Sequence, residues 1–143
     1  EERRRTLVSN VRYAAEETRK AGLVLMVEAI NSFDMPGFCL NTTRDAIELI
    51  AQVGHPNLFI QYDVYHMQMM EGKLIKTMRE NLAAIAHIQI ADVPGRHEPG
   101  TGEINFDNLF RALDDMGYKG WIGCEYMPAG QTEAGLGWIR EYL

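Results

Sequence analysis

LFIQYDVYH, residues 58–66, opens as an apolar β-run and ends on a carboxylate, Asp63, where a buried strand should not carry one. Three other runs do the same: LVLMVE (23–28) ends at Glu28, AHIQIAD (86–92) holds Gln89, and WIGCEY (121–126) holds Glu125. A buried carboxylate costs several kcal/mol, on the order of 3–5, unless a cation, a hydrogen-bond network or a proton compensates it. Three acids and one amide at matching places on successive strands therefore point to a shared divalent cation. Taken singly, each could cap a helix or pair with an arginine; taken together, one rim would need four separate compensations.

Helical stripes separate the runs. Leu7, Val8, Val11, Ala14, Ala15 and Thr18 recur at helical spacing, and Gly22 stops that helix before the first strand. Thr42-Thr43-Arg44-Asp45 reads as a capping sequence, with Ile47, Ile50 and Val53 on one face and Gly54 at the end. Leu74, Ile75, Met78, Leu82 and Ile85 form a third stripe, and Phe106, Leu109, Phe110, Leu113 and Met116 a fourth. Leu136, Trp138, Ile139 and Tyr142 predict a last helix. Such α-β alternation predicts parallel strands joined by right-handed crossovers. The polar residues fall at the carboxyl ends of the strands, where the βα loops of an α/β barrel converge. A complete barrel needs about 250 residues. The 143 residues here thus predict one segment, the C-terminal half of a (β/α)8 TIM barrel with four parallel strands and alternating helices.

The composition, 46% apolar and 24% charged, is that of a globular protein, and no apolar run approaches the ~20 residues of a membrane helix. A formal net charge of −6 argues against a general nucleic-acid surface, since phosphate contacts need clustered Lys and Arg. Cys39 and Cys124 form no CxxC pair and suggest neither a disulfide framework nor a thiolate zinc site. A cytoplasmic location is the corresponding expectation.

Oxygen ligands of this kind favour Mg2+ or Mn2+. His66, three residues past Asp63, is expected to rise into the loop above its strand, where it could donate to a substrate oxygen; packing beside Met67, Met69 and Met70 is the structural alternative. The long Gly/Pro-rich segment PGRHEPGTGE (94–103) carries Arg96, a candidate grip for a substrate carboxylate.

The strings VEAINSFDMPGF, IQYDVYHMQ, HIQIADVPGRHEPGTGEINF and GWIGCEYMP resemble the hydroxypyruvate isomerase family of the xylose-isomerase-like barrel superfamily, from about Leu7 to the end of the chain. The resemblance implies an aldose–ketose type isomerisation of a small hydroxy-oxo acid through an enediolate. It makes Glu28 and Glu125 the catalytic acid/base pair and gives Glu28, Asp63, Gln89 and Glu125 the metal. By similarity to the related ketose 3-epimerases, His66 and Arg96 hold substrate. Those epimerases carry His at the third ligand position, so Gln89 favours the hydroxypyruvate isomerase branch over a 3-epimerase. A 2-oxo-tetronate, one carbon longer, is the nearest rival substrate. The barrel also resembles that of apurinic endonuclease IV, a zinc phosphodiesterase, but four His and an acidic charge fit it poorly. A half-barrel exposes two sheet edges, so the segment alone is expected to pair with the missing N-terminal half or to self-associate as an inactive metal-binding fragment.

Overall fold

The structure, a computed structural model, describes residues 2–142. A long helix α1 (Glu2–Lys20) leads into β1 (Leu25–Glu28), followed by α2 (Thr43–Val53) and β2 (Leu58–Asp63). Two helices, α3 (Val64–Met70) and α4 (Leu74–Asn81), and a 3-10 turn (Leu82–Ala84) then lead to β3 (Ile85–Ile90). Helix α5 (Phe106–Met116), β4 (Ile122–Cys124), the short α6 (Thr132–Gly135) and a 3-10 segment (Leu136–Tyr142) complete the described residues. The strands form one parallel sheet in the order β1-β2-β3-β4. This is the expected half-barrel architecture, with two differences. The third stripe stops being α-helical after Asn81, and Ile85 belongs to β3. The last helix is mostly 3-10.

Why four polar residues share one face follows from the register. Paired residues of a parallel sheet lie on the same face, and side chains alternate along each strand. Glu28 pairs with Gln61, two residues before Asp63. Asp63 pairs with Gln89, and Gln89 with Gly123, two residues before Glu125. All four therefore point to one side. The opposite face carries Leu58, Ile60, Tyr62, Ile88 and Ile90, all buried against the helices with Leu49, Val53, Met78, Leu109 and Leu113. Burying such a side chain is worth about 1.5–3 kcal/mol, so this face holds the helices in place.

Local signals set the helix starts. The Thr42 side chain accepts from the Asp45 amide (3.2 Å), and the Asp45 carboxylate accepts from the Thr42 amide (2.9 Å), a complete capping box. Helix α3 begins without a turn because Asp63 is both the last strand residue and the N-cap, accepting from the amides of Tyr65 (2.8 Å) and His66 (3.3 Å). No helix among the described residues is long and apolar enough to cross a membrane.

The segment 93–103 is folded around one carboxylate. Asp92, fully buried, accepts through Oδ1 from the amides of Val93 (2.8 Å) and Ile104 (3.1 Å), and through Oδ2 from those of Gly100 (2.9 Å) and Gly102 (2.8 Å). Gly102 lies so close that a Cβ would run into the Val93 carbonyl and Asp92 Oδ1. An Asp92→Asn variant keeps the shape but turns an NH2 toward two N–H donors. It is expected to lose about 2–3 kcal/mol in urea unfolding, the scale of a hydrogen bond to a charged group plus an unsatisfied buried donor.

Candidate metal and proton-transfer site

The carboxyl rim gathers Glu28, Asp63, His66 and Glu125 so closely that one ligand atom from each lies within 4.8 Å of all the others. Gln89 stands beside Asp63 in register. Three oxygens here are buried without a hydrogen-bond partner among the described residues: Glu28 Oε1, Asp63 Oδ2 and Gln89 Oε1. A buried acceptor left unpaired costs about 1–3 kcal/mol, and more when charged. Three acceptors without a hydrogen bond on neighbouring strands of one rim are what a hard cation would repair, so the residues fit a divalent ion.

The electrostatics agree. Burial raises the Glu28 carboxyl above the usual range, and the Glu125 charge raises it further. Burial, followed by the Glu28 charge, likewise raises Asp63. These are the shifts of carboxylates buried together, desolvation first and like charge second.

His66 is buried and sits in the first turn of α3, not in the loop expected from the sequence, because Asp63 starts that helix at once. Its Nε2 nevertheless faces the rim, 3.8 Å from Asp63 Oδ2 and 3.9 Å from Glu28 Oε1. Burial, with Arg96 nearby, pushes its pKa down to about 4, so the ring is neutral near pH 7. Arg96 adopts a left-handed backbone (φ 57°) in the Asp92 loop. Its Nη2 bonds Glu125 Oε2 and lies 3.8 Å from Asp63 Oδ2, and its guanidinium stands 5.0 Å from the Tyr65 ring centroid. It is therefore engaged with two of the expected metal ligands. Glu125, just beyond β4, has a side chain 49% exposed.

Residues that sequence reading passed over complete the site. Asn31 is fully buried, and its Nδ2 lies 2.7 Å from His66 Nδ1 and 2.9 Å from Asp34 Oδ2. The Tyr65 hydroxyl also donates to Asp34 Oδ2 (2.9 Å). One signal was available: Asn31 follows Glu28 by three residues, as His66 follows Asp63, so the two stand at like heights above neighbouring strands.

Comparison with known proteins gives a consistent set. The family model described as xylose isomerase-like TIM barrel matches residues 1–142. A hydroxypyruvate isomerase of Escherichia coli is 56% identical over 137 residues, covering 96% of this chain and 53% of the relative. A 2-oxo-tetronate isomerase of Cupriavidus necator is 46% identical over 140 residues, covering 98% and 54%. A crystal structure described as an AP endonuclease, family 2, from Brucella melitensis superposes with a TM-score of 0.94 at 42% identity, over 97% of this chain and 54% of that one. The chain spans about half the length of the relatives it matches.

The raised carboxyl of Asp63 has a consequence for stability. A group whose pKa is higher in the folded than in the unfolded state contributes stability that is lost as pH rises through the folded value. Asp63→Asn keeps the Oδ1 cap but removes the charge. Without divalent cations, the Tm of this variant minus that of the parent is expected to widen as pH rises from about 5 to 8; Mg2+ or Mn2+ should raise the Tm of the parent and leave the variant unmoved.

Proposed function

The chain belongs to the xylose isomerase-like TIM barrel family, and from that premise we propose that the whole protein is a metal-dependent isomerase interconverting hydroxypyruvate and tartronate semialdehyde through an enediolate. The observation that carries this reading is the set of three unpartnered buried oxygens on Glu28, Asp63 and Gln89, with the Glu125 carboxylate beside them. Those four residues would hold Mg2+ or Mn2+, and the ion would supply electrophilic stabilisation to the enediolate oxygens.

The remaining work belongs to side chains. Glu28 ends β1 and Glu125 follows β4, so the two carboxylates come to the rim from opposite edges of the sheet. One removes the proton beside the carbonyl and the other returns a proton to the neighbouring carbon, while the substrate's hydroxyl proton passes to the former carbonyl oxygen. Burial makes Glu28 the more basic than an ordinary carboxylate. His66 Nε2 donates to a substrate oxygen. Arg96 keeps N–H groups beyond the Nη2 bond to Glu125 and takes the substrate carboxylate with them. A 2-oxo-tetronate offers the same carboxylate and carbonyl on a chain one carbon longer, and 46% identity to an isomerase of that name keeps it as the second substrate to assay. The Brucella match raises phosphodiester hydrolysis; the net charge of −6 and the three unpartnered carboxylate and amide oxygens favour the isomerase.

Both β1 and β4 are sheet edges here, and Trp121, Ile122, Met26 and Val24 are exposed beside them. These surfaces are where the other half-barrel would pair.

In the full gene product, hydroxypyruvate isomerisation is expected to vanish with EDTA and return with Mg2+ or Mn2+. Glu28→Gln and Glu125→Gln should each lower kcat by about 10²–10⁴, the usual contribution of a general acid or base. Near-parental turnover in either variant contradicts the assignment, and nicking of abasic DNA in its place contradicts the reaction class. The 143-residue segment alone should sediment as a self-associated, inactive species; an active monomer would exclude half-barrel pairing.

A further inference from the structure

Asn31 lies outside every role given above, yet its hydrogen bonds decide what His66 can do. The amide is anchored at its oxygen: Oδ1 accepts from the backbone N–H of Asp34 (2.8 Å) and of Phe33 (3.1 Å). Two N–H donors at that end leave only one orientation. The NH2 must therefore face the other way, toward Asp34 Oδ2 (2.9 Å), an acceptor, and His66 Nδ1 (2.7 Å). Because Asn31 donates there, His66 Nδ1 must hold a lone pair, and the single ring proton of a neutral imidazole resides on Nε2. A proton on Nδ1 would set donor against donor at 2.7 Å inside a site where both residues are buried.

Nε2 is the atom that faces the rim, and its distances of 3.8 Å to Asp63 Oδ2 and 3.9 Å to Glu28 Oε1 are too long for hydrogen bonds. The N–H is thus held toward the reacting space without being consumed by the carboxylates around it. A protonated Nε2 also has no lone pair for a cation. His66 stands within 4.8 Å of the ligand atoms of Glu28, Asp63 and Glu125, and this tautomer keeps it out of the coordination shell.

We propose that Asn31 is a positioning residue that fixes His66 as the Nε2–H tautomer, making it a hydrogen-bond donor to substrate and barring it from the metal. The network extends outward: Asp34 holds the Asn31 NH2 and is itself held by the Tyr65 hydroxyl (2.9 Å), whose ring lies under Arg96. Loop 31–34 and helix α3 are thereby tied together where His66 emerges. The donor role rests on the isomerase reading, whereas the tautomer itself does not.

The test is the imidazole 15N–1H correlation spectrum of the full gene product, assigned to His66 by its loss in His66→Gln, without metal and after Mg2+ addition. The expected pattern is the Nε2–H form in both. An Nδ1–H pattern overturns the proposal whatever the enzyme catalyses, and a protein lacking isomerase activity can still show Nε2–H, so the two readings fail separately. The exchange variant Asn31→Asp with Asp34→Asn preserves the contact between the two positions but presents an acceptor to Nδ1. It should switch His66 to Nδ1–H and free Nε2 as a nitrogen ligand. Affinity for Zn2+ relative to Mg2+ should then rise by roughly tenfold or more, the scale of outer-shell effects on metal sites. A folded exchange variant that keeps the Nε2–H pattern and the parental metal preference overturns the proposal; should it fail to fold, the parental spectrum decides.

Discussion

Crowding of like charge at one end of a four-stranded sheet is the constraint to which the rest of this structure answers. Glu28, Asp63 and Glu125 come within a few ångströms of one another, with the Gln89 amide oxygen alongside, and three of their oxygens have no partner among the described residues. Folding energy from the helix-covered face holds them there. Leu58, Ile60, Tyr62, Ile88 and Ile90 bury that side of the sheet, and strand alternation then obliges the rim residues onto the other. Arg96 offsets part of the charge from the Asp92 loop, and burial shifts the Glu28 and Asp63 carboxyls upward. A divalent cation offsets it more completely, because it can take an oxygen from each residue at once.

Rigid support surrounds this strained centre. Asp92 collects four loop amides on one carboxylate and so fixes the backbone that presents Arg96. Asp63 serves twice, with Oδ1 capping α3 and Oδ2 left to the rim. Asn31 serves twice as well, closing its own turn through Oδ1 and contacting His66 through Nδ2. In Asp63 and Asn31 one polar atom serves the fold and the other is aimed at the site, which is how a few residues become both scaffold and machinery.

Much of this was legible in the sequence. A polar residue at the end of an apolar run is a local signal, and because successive strands pair in order, four such signals predict one rim. The capping box at Thr42 and Asp45 is equally local and forms as read. What escaped reading is non-local. Helix α3 has no amphipathic stripe, since Val64, Tyr65, His66 and Met67 are all buried, so periodicity could not reveal it, and His66 seemed to belong to a loop. The meeting of Asn31 with His66 joins residues 35 apart in the chain. The four amides around Asp92 belong to a loop whose path no propensity specifies. Gln89, the one uncharged member of the rim, was readable only by its position on the strand.

We propose one divalent ion held by oxygens of Glu28, Asp63, Gln89 and Glu125. Anomalous diffraction from Mn2+-soaked crystals of the full gene product measures this most directly. A single strong peak is expected at the rim in contact with those four side chains, with His66 Nε2 outside the coordination shell. A peak ligated through His66, or no peak at the rim at saturating Mn2+, would contradict it.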